Sequence, residues 1–271
     1  MDDVAQIEQL FLSGSRDENL GVYSELFSAK SPIEGQDGGV VTALLLSGLE
    51  RSVFDAAIVV RRKRSQYLAE AAVAETADAV LTARGTIFLQ ANVLSKLNDL
   101  LAAGKKRIAV VCLPCQVQAA RKLQQNLRCA AADVEITLIG LFCFEAFVPS
   151  KLKAEVQRLT GENIDKAEKT YIRKGQFIMQ IGGKRYACKV SELGNAVAEG
   201  CWRCGDFVSS LADVSVGSAG SPKGYSTVIV RSKVGQRLTQ GLNIEKKPTE
   251  KAQLLKLCQL KKARTSKISQ Q

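Results

Sequence analysis

The sequence predicts an α/β fold, in which a mixed sheet is flanked by helices and carries an antiparallel β insert and a basic C-terminal tail. Short apolar runs, such as residues 55–60 and 108–112, alternate with helical segments along most of the chain. The alternation stops over residues 169–189, where glycines separate three strand-like segments. The tail, residues 242–271, holds eight basic and two acidic side chains and contributes +6 of the net charge of +11.

The first hundred residues predict helices around one buried strand. Residues 1–30 are expected to form a helical or loose lead-in that ends at Ser31-Pro32, because the residue before proline avoids the helical region. A buried helix is expected over residues 40–49 and a buried strand over residues 55–60. Residues 69–83 are rich in alanine and are expected to be helical, and a second helix is expected over residues 93–103.

The rest of the chain predicts strands that end close to cysteines. Strands are expected over residues 108–112 and 134–142, separated by a helix over residues 116–126 that exposes Arg121 and Lys122. A helix over residues 148–160 is expected to stop at Gly161. The remaining predicted strands are residues 169–173, 176–181 and 184–189 of the insert, followed by residues 214–217 and 225–231.

The composition is that of a globular protein without a membrane span. Apolar residues make up 46% of the 271 residues and charged residues 24%. No apolar run approaches the roughly 20 residues that span a bilayer. The amino terminus is acidic, unlike a signal peptide, so we expect a cytoplasmic location. We do not expect nucleic acid as a partner, because no nucleic-acid-binding motif accompanies the positive charge.

Eight cysteines and no histidine point to thiolate-bound metal. Two C-x-x-C pairs, Cys112/Cys115 and Cys201/Cys204, have a chelating spacing, and Cys143 offers a fifth thiol. Spacing alone favours the two pairs as ligands of an iron–sulfur cluster, with a structural zinc as the main alternative. A redox disulfide in the first pair leaves the second unexplained. We interpret the other three as small buried hydrophobes: Cys129, Cys188 and Cys258.

Two glycine-rich stretches could approach a cofactor. Residues 35–39 run into the apolar helix, whose amino terminus favours negative charge, but they match neither common phosphate-binding fingerprint. Glycine content alone therefore favours a simple turn there. Residues 217–227 combine glycines with serine and threonine hydroxyls after a strand, and a cofactor loop and a plain β-turn are equally good interpretations.

The basic tail also allows two interpretations. Its charge is compatible with a solvated, partly disordered segment, or with a surface that docks an acidic partner subunit.

Five ordered motifs resemble the coenzyme F420 hydrogenase/dehydrogenase beta-subunit family. They are G-Q-D-G-G-V-V-T-A-L-L, L-P-C-Q-V-Q-A-A-R-K, I-G-L-F-C, C-W-R-C-G-D-F and L-A-D-V-S-V-G-S-A-G-S-P-K-G-Y-S-T-V-I-V-R. The resemblance as a whole runs from about Phe27 to Arg231. The chain length is similar to that of the family members found in hydrogenases of methanogenic archaea.

The resemblance implies one [4Fe–4S] cluster and FAD, with coenzyme F420 as substrate. Its cluster ligands fall on Cys115, Cys143, Cys201 and Cys204, which makes Cys112 a bystander and replaces the choice made from spacing. No side chain is expected to be catalytic, because the flavin carries the chemistry. The implied cofactor-binding residues are Ser31, Gly35, Gln36, Asp37, Gly38, Gly39, Thr42, Ser218, Ser221, Gly224, Ser226 and Thr227.

In this family the beta subunit takes single electrons through the cluster and passes a hydride from FAD to coenzyme F420. The implied partners in a hetero-oligomer are a nickel–iron large subunit, which splits hydrogen, and an iron–sulfur small subunit. Residues 1–100 would form a flavin-binding half and residues 101–241 an iron–sulfur and flavin-binding half, followed by the tail. Residues 61–64 are expected to attract coenzyme F420. The alternatives are a beta-type subunit serving formate or sulfite chemistry, and a bridging module without enzymatic activity.

Overall fold

The computed structural model describes residues 3–130 and 133–268. The helices are α1 (Asp3–Phe11), α2 (Val40–Glu50), α3 (Ala77–Thr82), α4 (Val93–Ala102), α5 (Pro114–Cys129), α6 (Pro149–Thr160), α7 (Lys233–Thr239) and α8 (Lys251–Ile268). The strands are β1 (Ser15–Asp17), β2 (Gly21–Tyr23), β3 (Glu25–Lys30), β4 (Ala56–Arg62), β5 (Ala69–Ala74), β6 (Arg107–Cys112), β7 (Glu135–Leu141), β8 (Lys169–Arg173), β9 (Gln176–Ile181), β10 (Lys184–Lys189), β11 (Val214–Gly217), β12 (Ser226–Val230) and β13 (Glu245–Lys247). Three short 3₁₀ segments cover Ile164–Lys166, Val190–Ala196 and Glu199–Arg203.

An eight-stranded mixed sheet forms the centre, in the order β13-β3-β12-β11-β7-β6-β4-β5. Strands β11, β7, β6 and β4 are consecutive parallel neighbours, whereas β5, β12 and β13 pair antiparallel with the strands beside them. The sheet combines strands from before and after residue 100, so the two predicted halves share one core. The predicted mixed α/β fold is confirmed.

Alternating side chains of the central strands bury both faces of the sheet. In β4, Ala57 and Val59 join a core with α2, α3 and α7, whereas Ala56 and Ile58 join a second core with α1, α4 and α5. Strands covered on both sides read as continuous apolar runs, which explains why residues 55–60 and 108–112 were recognisable as strands.

The antiparallel insert is a separate sheet of order β10-β9-β8, and its three strands have the predicted bounds. Its core contains Phe177, with edge-on ring contacts to Phe88 at 5.6 Å and Phe147 at 6.2 Å between centroids. The same core includes Cys201. Packing of the insert therefore helps to position the second C-x-x-C pair.

Two predicted elements are wrong. The lead-in contains β3, which lies inside the central sheet between β12 and β13. The alanine-rich segment begins as β5, whose six residues pair with β4, and only its end forms helix α3. Pairing along an existing strand outweighs the helix propensity of alanine, because propensity is a weak preference that tertiary contacts override.

Arg121 is buried rather than exposed, which corrects the prediction for α5. Its side chain is 1% accessible and forms an ion pair with Asp213 at 3.0 Å. The guanidinium also donates to the carbonyl of Leu211 at 2.7 Å and lies over the ring of Phe11, 4.8 Å from its centroid. Lys122 is exposed as predicted.

The basic tail is folded over residues 245–268, contrary to the interpretation as a partly disordered segment. Strand β13 extends the central sheet at β3, and α8 packs its buried Leu254 and Cys258 beside Leu20 and Phe207. The last three tail residues, 269–271, lie outside the described residues. No helix in the described part of the chain is long and apolar enough to cross a membrane.

Candidate metal centre and cofactor loops

The predicted site residues lie at one edge of the central sheet, which we call the carboxyl edge. Strands β4, β6, β7 and β11 run in the same direction, and β3 joins them because it and β11 are both antiparallel to β12. Their carboxyl ends lead to residues 31–39, 61–64, 112–115, 143 and 217–227. In open α/β sheets this edge is where ligands bind.

Cys115 lies in the first turn of α5. Proline at the preceding position is well suited to starting a helix, and the Gln116 side chain accepts a hydrogen bond from the backbone N–H of Leu113 at 3.0 Å. Cys115 is exposed, and its sulfur lies 3.9 Å from Nε2 of Gln90. The amino end of a helix favours the thiolate form, which is the form that binds metal.

The other three thiols are held by loops that contact one another. Cys143 follows β7, and its backbone N–H donates to the carbonyl of Phe207 at 2.9 Å. Cys201 lies in the middle of the 3₁₀ segment Glu199–Arg203, and its sulfur accepts from the N–H of Ala146 at 3.4 Å. Cys204 follows it, with its sulfur 3.7 Å from the carbonyl of Asp206.

Electrostatics indicates that the four thiols converge. Burial raises the pKa of Cys143 to about 12, and the charges of Cys201, Cys115 and Cys204 raise it further, while Lys261 lowers it. Partial desolvation also raises the pKa of the Cys115 thiol, as do the charges of Cys204 and Cys201. Each of these thiols is therefore within electrostatic reach of the others. The shifts also mean that metal must displace protons on binding.

The remaining four cysteines are Cys112, Cys129, Cys188 and Cys258. Cys112 is buried in the core between β6 and α5, where desolvation raises the pKa of its thiol. Cys188 and Cys258 are buried, as expected for small hydrophobes. Cys129 is exposed at the last position of α5, so the prediction that it is buried is wrong.

A single zinc ion and an iron–sulfur cluster need different spacings of the four sulfurs. Tetrahedral zinc needs its sulfurs about 3.8 Å apart, given zinc–sulfur bonds of about 2.3 Å. Within residues 3–130 and 133–268, no three Cys, Asp or Glu side chains are grouped tightly enough to ligate one ion. In a [4Fe–4S] cluster each thiolate binds a different iron, so the sulfurs can stand further apart.

The glycine loop, residues 31–39, packs against the start of β12. The N–H of Gly38 donates to Oγ of Ser226 at 3.1 Å, and the N–H of Ser31 donates to the carbonyl of Gly38 at 2.8 Å. A methyl group on Gly38 would lie 2.3 Å from the carbonyl oxygen of Ala29. Gly39 has φ of 66°, and a methyl group there would lie 2.2 Å from the carbonyl oxygen of Ile33. These two glycines are thus required by close backbone packing.

The serine loop, residues 217–227, is also held by its own hydroxyls. Oγ1 of Thr227 donates to the carbonyl of Ala219 at 2.7 Å, and Oγ of Ser221 contacts the carbonyls of Ser218 at 2.8 Å and Tyr225 at 2.9 Å. Gly224 has φ of 81° at the turn before β12. The structure therefore brings the glycine and serine loops together through the bond between Gly38 and Ser226.

Several predicted cofactor residues remain accessible. Gln36, Asp37 and Ser218 are at least partly exposed, and Thr42 is partly buried in the first turn of α2. Among the residues that the structure describes, no side chain caps α2, so its first backbone N–H groups are available to an anion. Partial desolvation of Asp37 raises the pKa of its carboxyl group, and the positive charge of Lys169 in the insert opposes that shift. Lys169 is thus within electrostatic range of the glycine loop.

Sequence reasoning missed two basic residues that contact the loops carrying Cys143, Cys201 and Cys204, which we call the cysteine loops. Lys261 donates to the carbonyl of Cys143 at 2.5 Å, and Arg264 donates to the carbonyl of Cys201 at 3.1 Å. Both lie on α8, three residues apart, so they share one helical face. The three-residue spacing of these two basic residues was visible in the sequence. It points to the cysteine loops only once α8 is known to pack against them.

The comparisons with known proteins agree with the resemblance of the motifs. Residues 26–98 match the N-terminal family model of the coenzyme F420 hydrogenase/dehydrogenase beta subunit, and residues 105–253 match the C-terminal model of the same family. The coenzyme F420 hydrogenase subunit beta of Methanothermobacter thermautotrophicus is 34% identical over 228 residues, which are 81% of each protein. The coenzyme F420-dependent sulfite reductase of Methanocaldococcus jannaschii is 38% identical over 259 residues, which are 89% of this chain but 40% of that protein.

A solved structure is similar over almost the whole fold. A chain of the F420-reducing [NiFe] hydrogenase complex from Methanosarcina barkeri, solved in a xenon derivative, superposes with a TM-score of 0.86. It is 32% identical, and the match covers 94% of both chains. The two matched family segments also contain every residue predicted to bind metal or cofactor. This chain belongs to the coenzyme F420 hydrogenase/dehydrogenase beta-subunit family of oxidoreductases.

Proposed function

We propose that this chain is the subunit of an F420-reducing hydrogenase that collects single electrons and delivers a hydride to coenzyme F420. The observation that carries the proposal is the meeting of four thiols and two glycine-rich loops at the carboxyl edge. The likeness to hydrogenase beta subunits over most of the chain supports it.

In this proposal, Cys115, Cys143, Cys201 and Cys204 hold a [4Fe–4S] cluster. Each lies on a backbone segment that is fixed by hydrogen bonds, so little ordering remains to be done on binding. Cys115 is the exposed member of the set, which makes the α5 amino terminus the side from which electrons can enter. Cys112 takes no part as a ligand.

The glycine and serine loops bind FAD in this proposal, so the flavin site extends over both halves of the chain. When bound, FAD supplies the exchange between single electrons and a hydride. The free N–H groups at the start of α2 suit its pyrophosphate, and Gln36, Thr42 and Ser218 offer accessible polar groups. The hydrogen bond from the N–H of Gly38 to Ser226 holds the two loops together. No side chain acts as acid, base or nucleophile.

The electron donor lies outside this chain. We propose a hetero-oligomer with a nickel–iron large subunit and an iron–sulfur small subunit, because the structural relative is part of an F420-reducing [NiFe] hydrogenase complex. A second candidate, a beta-type module serving sulfite chemistry, is favoured by the 38% identity to the sulfite reductase. Both candidates share the same cofactor set and differ in the partner.

The proposal is tested on the chain purified without oxygen. We expect flavin absorbance bands and about four irons per chain, the content of one cluster. We then expect the protein, once reduced with dithionite, to reduce coenzyme F420. The loss of the absorbance of coenzyme F420 measures this reaction. Stoichiometric zinc without flavin would instead support a bridging module, and an intact cofactor set that leaves coenzyme F420 oxidised would overturn the proposed substrate.

A further inference from the structure

Helix α8 buries a lysine among the cysteine loops. Lys261 is 1% exposed, and its ammonium group donates to the backbone carbonyls of Cys143 at 2.5 Å and Asp206 at 2.8 Å. Asp206 lies two residues after Cys204. One ammonium group therefore joins the loops that carry two of the four thiols.

This lysine has no acidic partner in the described part of the chain. Both of its acceptors are neutral carbonyls, and the carboxylate of Asp206 points instead to the N–H groups of Val208 and Ser210. Arg264 on the same helical face is different, since it forms an ion pair with Glu145 at 2.6 Å. Arg264 is thus neutralised locally, whereas Lys261 is not.

A buried cation normally requires a nearby anion, because burial removes the water that stabilises its charge. Lys261 contacts the carbonyl of Cys143, whose thiol becomes a thiolate when metal binds. A cluster held by four thiolates carries a net negative charge, and reduction adds one more. The environment of Lys261 is therefore complementary to a loaded cluster, and most complementary to a reduced one.

We propose that Lys261 sets the reduction potential of the iron–sulfur cluster by placing a fixed, buried positive charge beside Cys143. This inference rests on the proposed function, which supplies the cluster. The charge stabilises the reduced cluster relative to the oxidised one and so raises the potential. A higher potential favours electron transfer from the donor to this chain. Because Lys261 belongs to the basic tail, this role connects the tail with the chemistry of the cysteines.

The test is a redox titration of the full chain, purified without oxygen and followed by electron paramagnetic resonance. Lys261→Met removes the charge and keeps the length of the side chain, and Lys261→Arg keeps the charge. Lys256→Met is the matched control, because Lys256 is an exposed lysine on the same helix. We expect at least a tenfold loss in the equilibrium constant for reduction in Lys261→Met, equivalent to about 59 mV for one electron. The other two variants should stay close to the wild-type potential.

Each outcome separates this inference from the proposal on which it rests. A wild-type chain without a cluster overturns the proposed function. A wild-type chain with a cluster whose potential is unchanged in Lys261→Met overturns the role of Lys261. If Lys261→Met binds no cluster but Lys261→Arg binds a normal amount of iron, the positive charge itself is needed beside the cluster, which supports the inference. Failure of both variants to bind iron assigns Lys261 to packing and overturns the inference.

Discussion

The cysteine loops and the glycine and serine loops lie at the same edge of the sheet but differ in how far the protein satisfies their polar groups. The sulfur of Cys115 contacts Gln90 at 3.9 Å and that of Cys204 contacts a carbonyl at 3.7 Å, distances typical of weak contacts. The hydroxyls of Thr227 and Ser221, by contrast, make bonds of 2.7–2.9 Å to backbone carbonyls.

The difference indicates two ways of building a binding site. In the cysteine loops the side chains themselves remain free to bind, and the backbone holds them in place. In the glycine and serine loops the hydroxyls fix the shape, so that binding falls to backbone N–H groups and to the few exposed side chains. Substitutions in the cysteine loops should therefore weaken metal binding without destabilising the fold. Substitutions in the glycine and serine loops should weaken cofactor binding by lowering the stability of the fold.

The largest expected effect is the loss of the cluster in Cys143→Ala. Removing one thiolate should lower the iron content from about four per chain to near zero, because four cysteines complete the cluster. The metal-free variant should keep its far-ultraviolet circular dichroism spectrum, since the thiol is neutral and the substitution leaves the backbone hydrogen bonds of that position to Phe207 and Lys261 in place.

Cys112→Ala is the matched control for this change. It removes a neighbouring buried thiol that lies in the core behind α5, and it should keep the iron. The reverse pattern, with iron lost in Cys112→Ala and kept in Cys143→Ala, would restore the ligand set suggested by spacing alone.

Gly38→Ala should destabilise the fold and lower flavin binding together. The added methyl group would lie 2.3 Å from the carbonyl oxygen of Ala29 and 2.6 Å from the nitrogen of Ser226, so the loop must move. We expect a loss of about 2–3 kcal/mol in the free energy of unfolding. Urea denaturation and the flavin absorbance measure both effects.

Gly194→Ala is the control, because its added methyl group meets nothing within 4 Å. A Gly38→Ala protein that is as stable as this control but lacks flavin would show that Gly38 contacts the cofactor directly, which breaks the contrast between the two regions.

Ser226→Ala should have a smaller effect of the same kind. It leaves the buried N–H of Gly38 without its acceptor, which costs about 1–2 kcal/mol of unfolding free energy. Ser218→Ala is a suitable control, because Ser218 is exposed, and surface changes usually stay within about 0.5 kcal/mol. Equal unfolding midpoints for the two variants would argue against a structural role for the Ser226 hydroxyl.

The smallest expected effect concerns the approach of coenzyme F420. Of residues 61–64, Arg61 pairs with Glu70, and Arg62 donates to the carbonyls of Ala167 and Asp165, so the exposed Lys63 and Arg64 are the better candidates for attracting substrate. Lys63→Glu should raise the KM for coenzyme F420 roughly threefold without changing kcat, because exposed charges act weakly and over short range.

Lys233→Glu provides the comparison, since Lys233 is exposed at the start of α7, at the opposite edge of the sheet. If both reversals raise KM equally, the net charge of the protein is responsible and Lys63 has no local role.

Patterns within a few residues made much of the fold predictable. Residues 169–189 alternate and break at glycines, so all three insert strands were predicted correctly. The strand over residues 25–30 was missed because its place between β12 and β13 depends on partners some 200 residues away. Arg121 was misplaced for a related reason, since a charged side chain reads as exposed until its partner Asp213 is known.

By itself, the sequence determined the α/β class, the family and the set of residues from which a site could be built, because these depend on local patterns and ordered motifs. The tertiary structure decided which of those residues meet. It buries Cys112 in the core between β6 and α5, joins Gly38 to Ser226, and returns the basic tail to the cysteine loops through Lys261. The physical reason is that strand direction and helix docking bring together residues that are remote in the chain. Local sequence patterns do not encode which remote residues become neighbours.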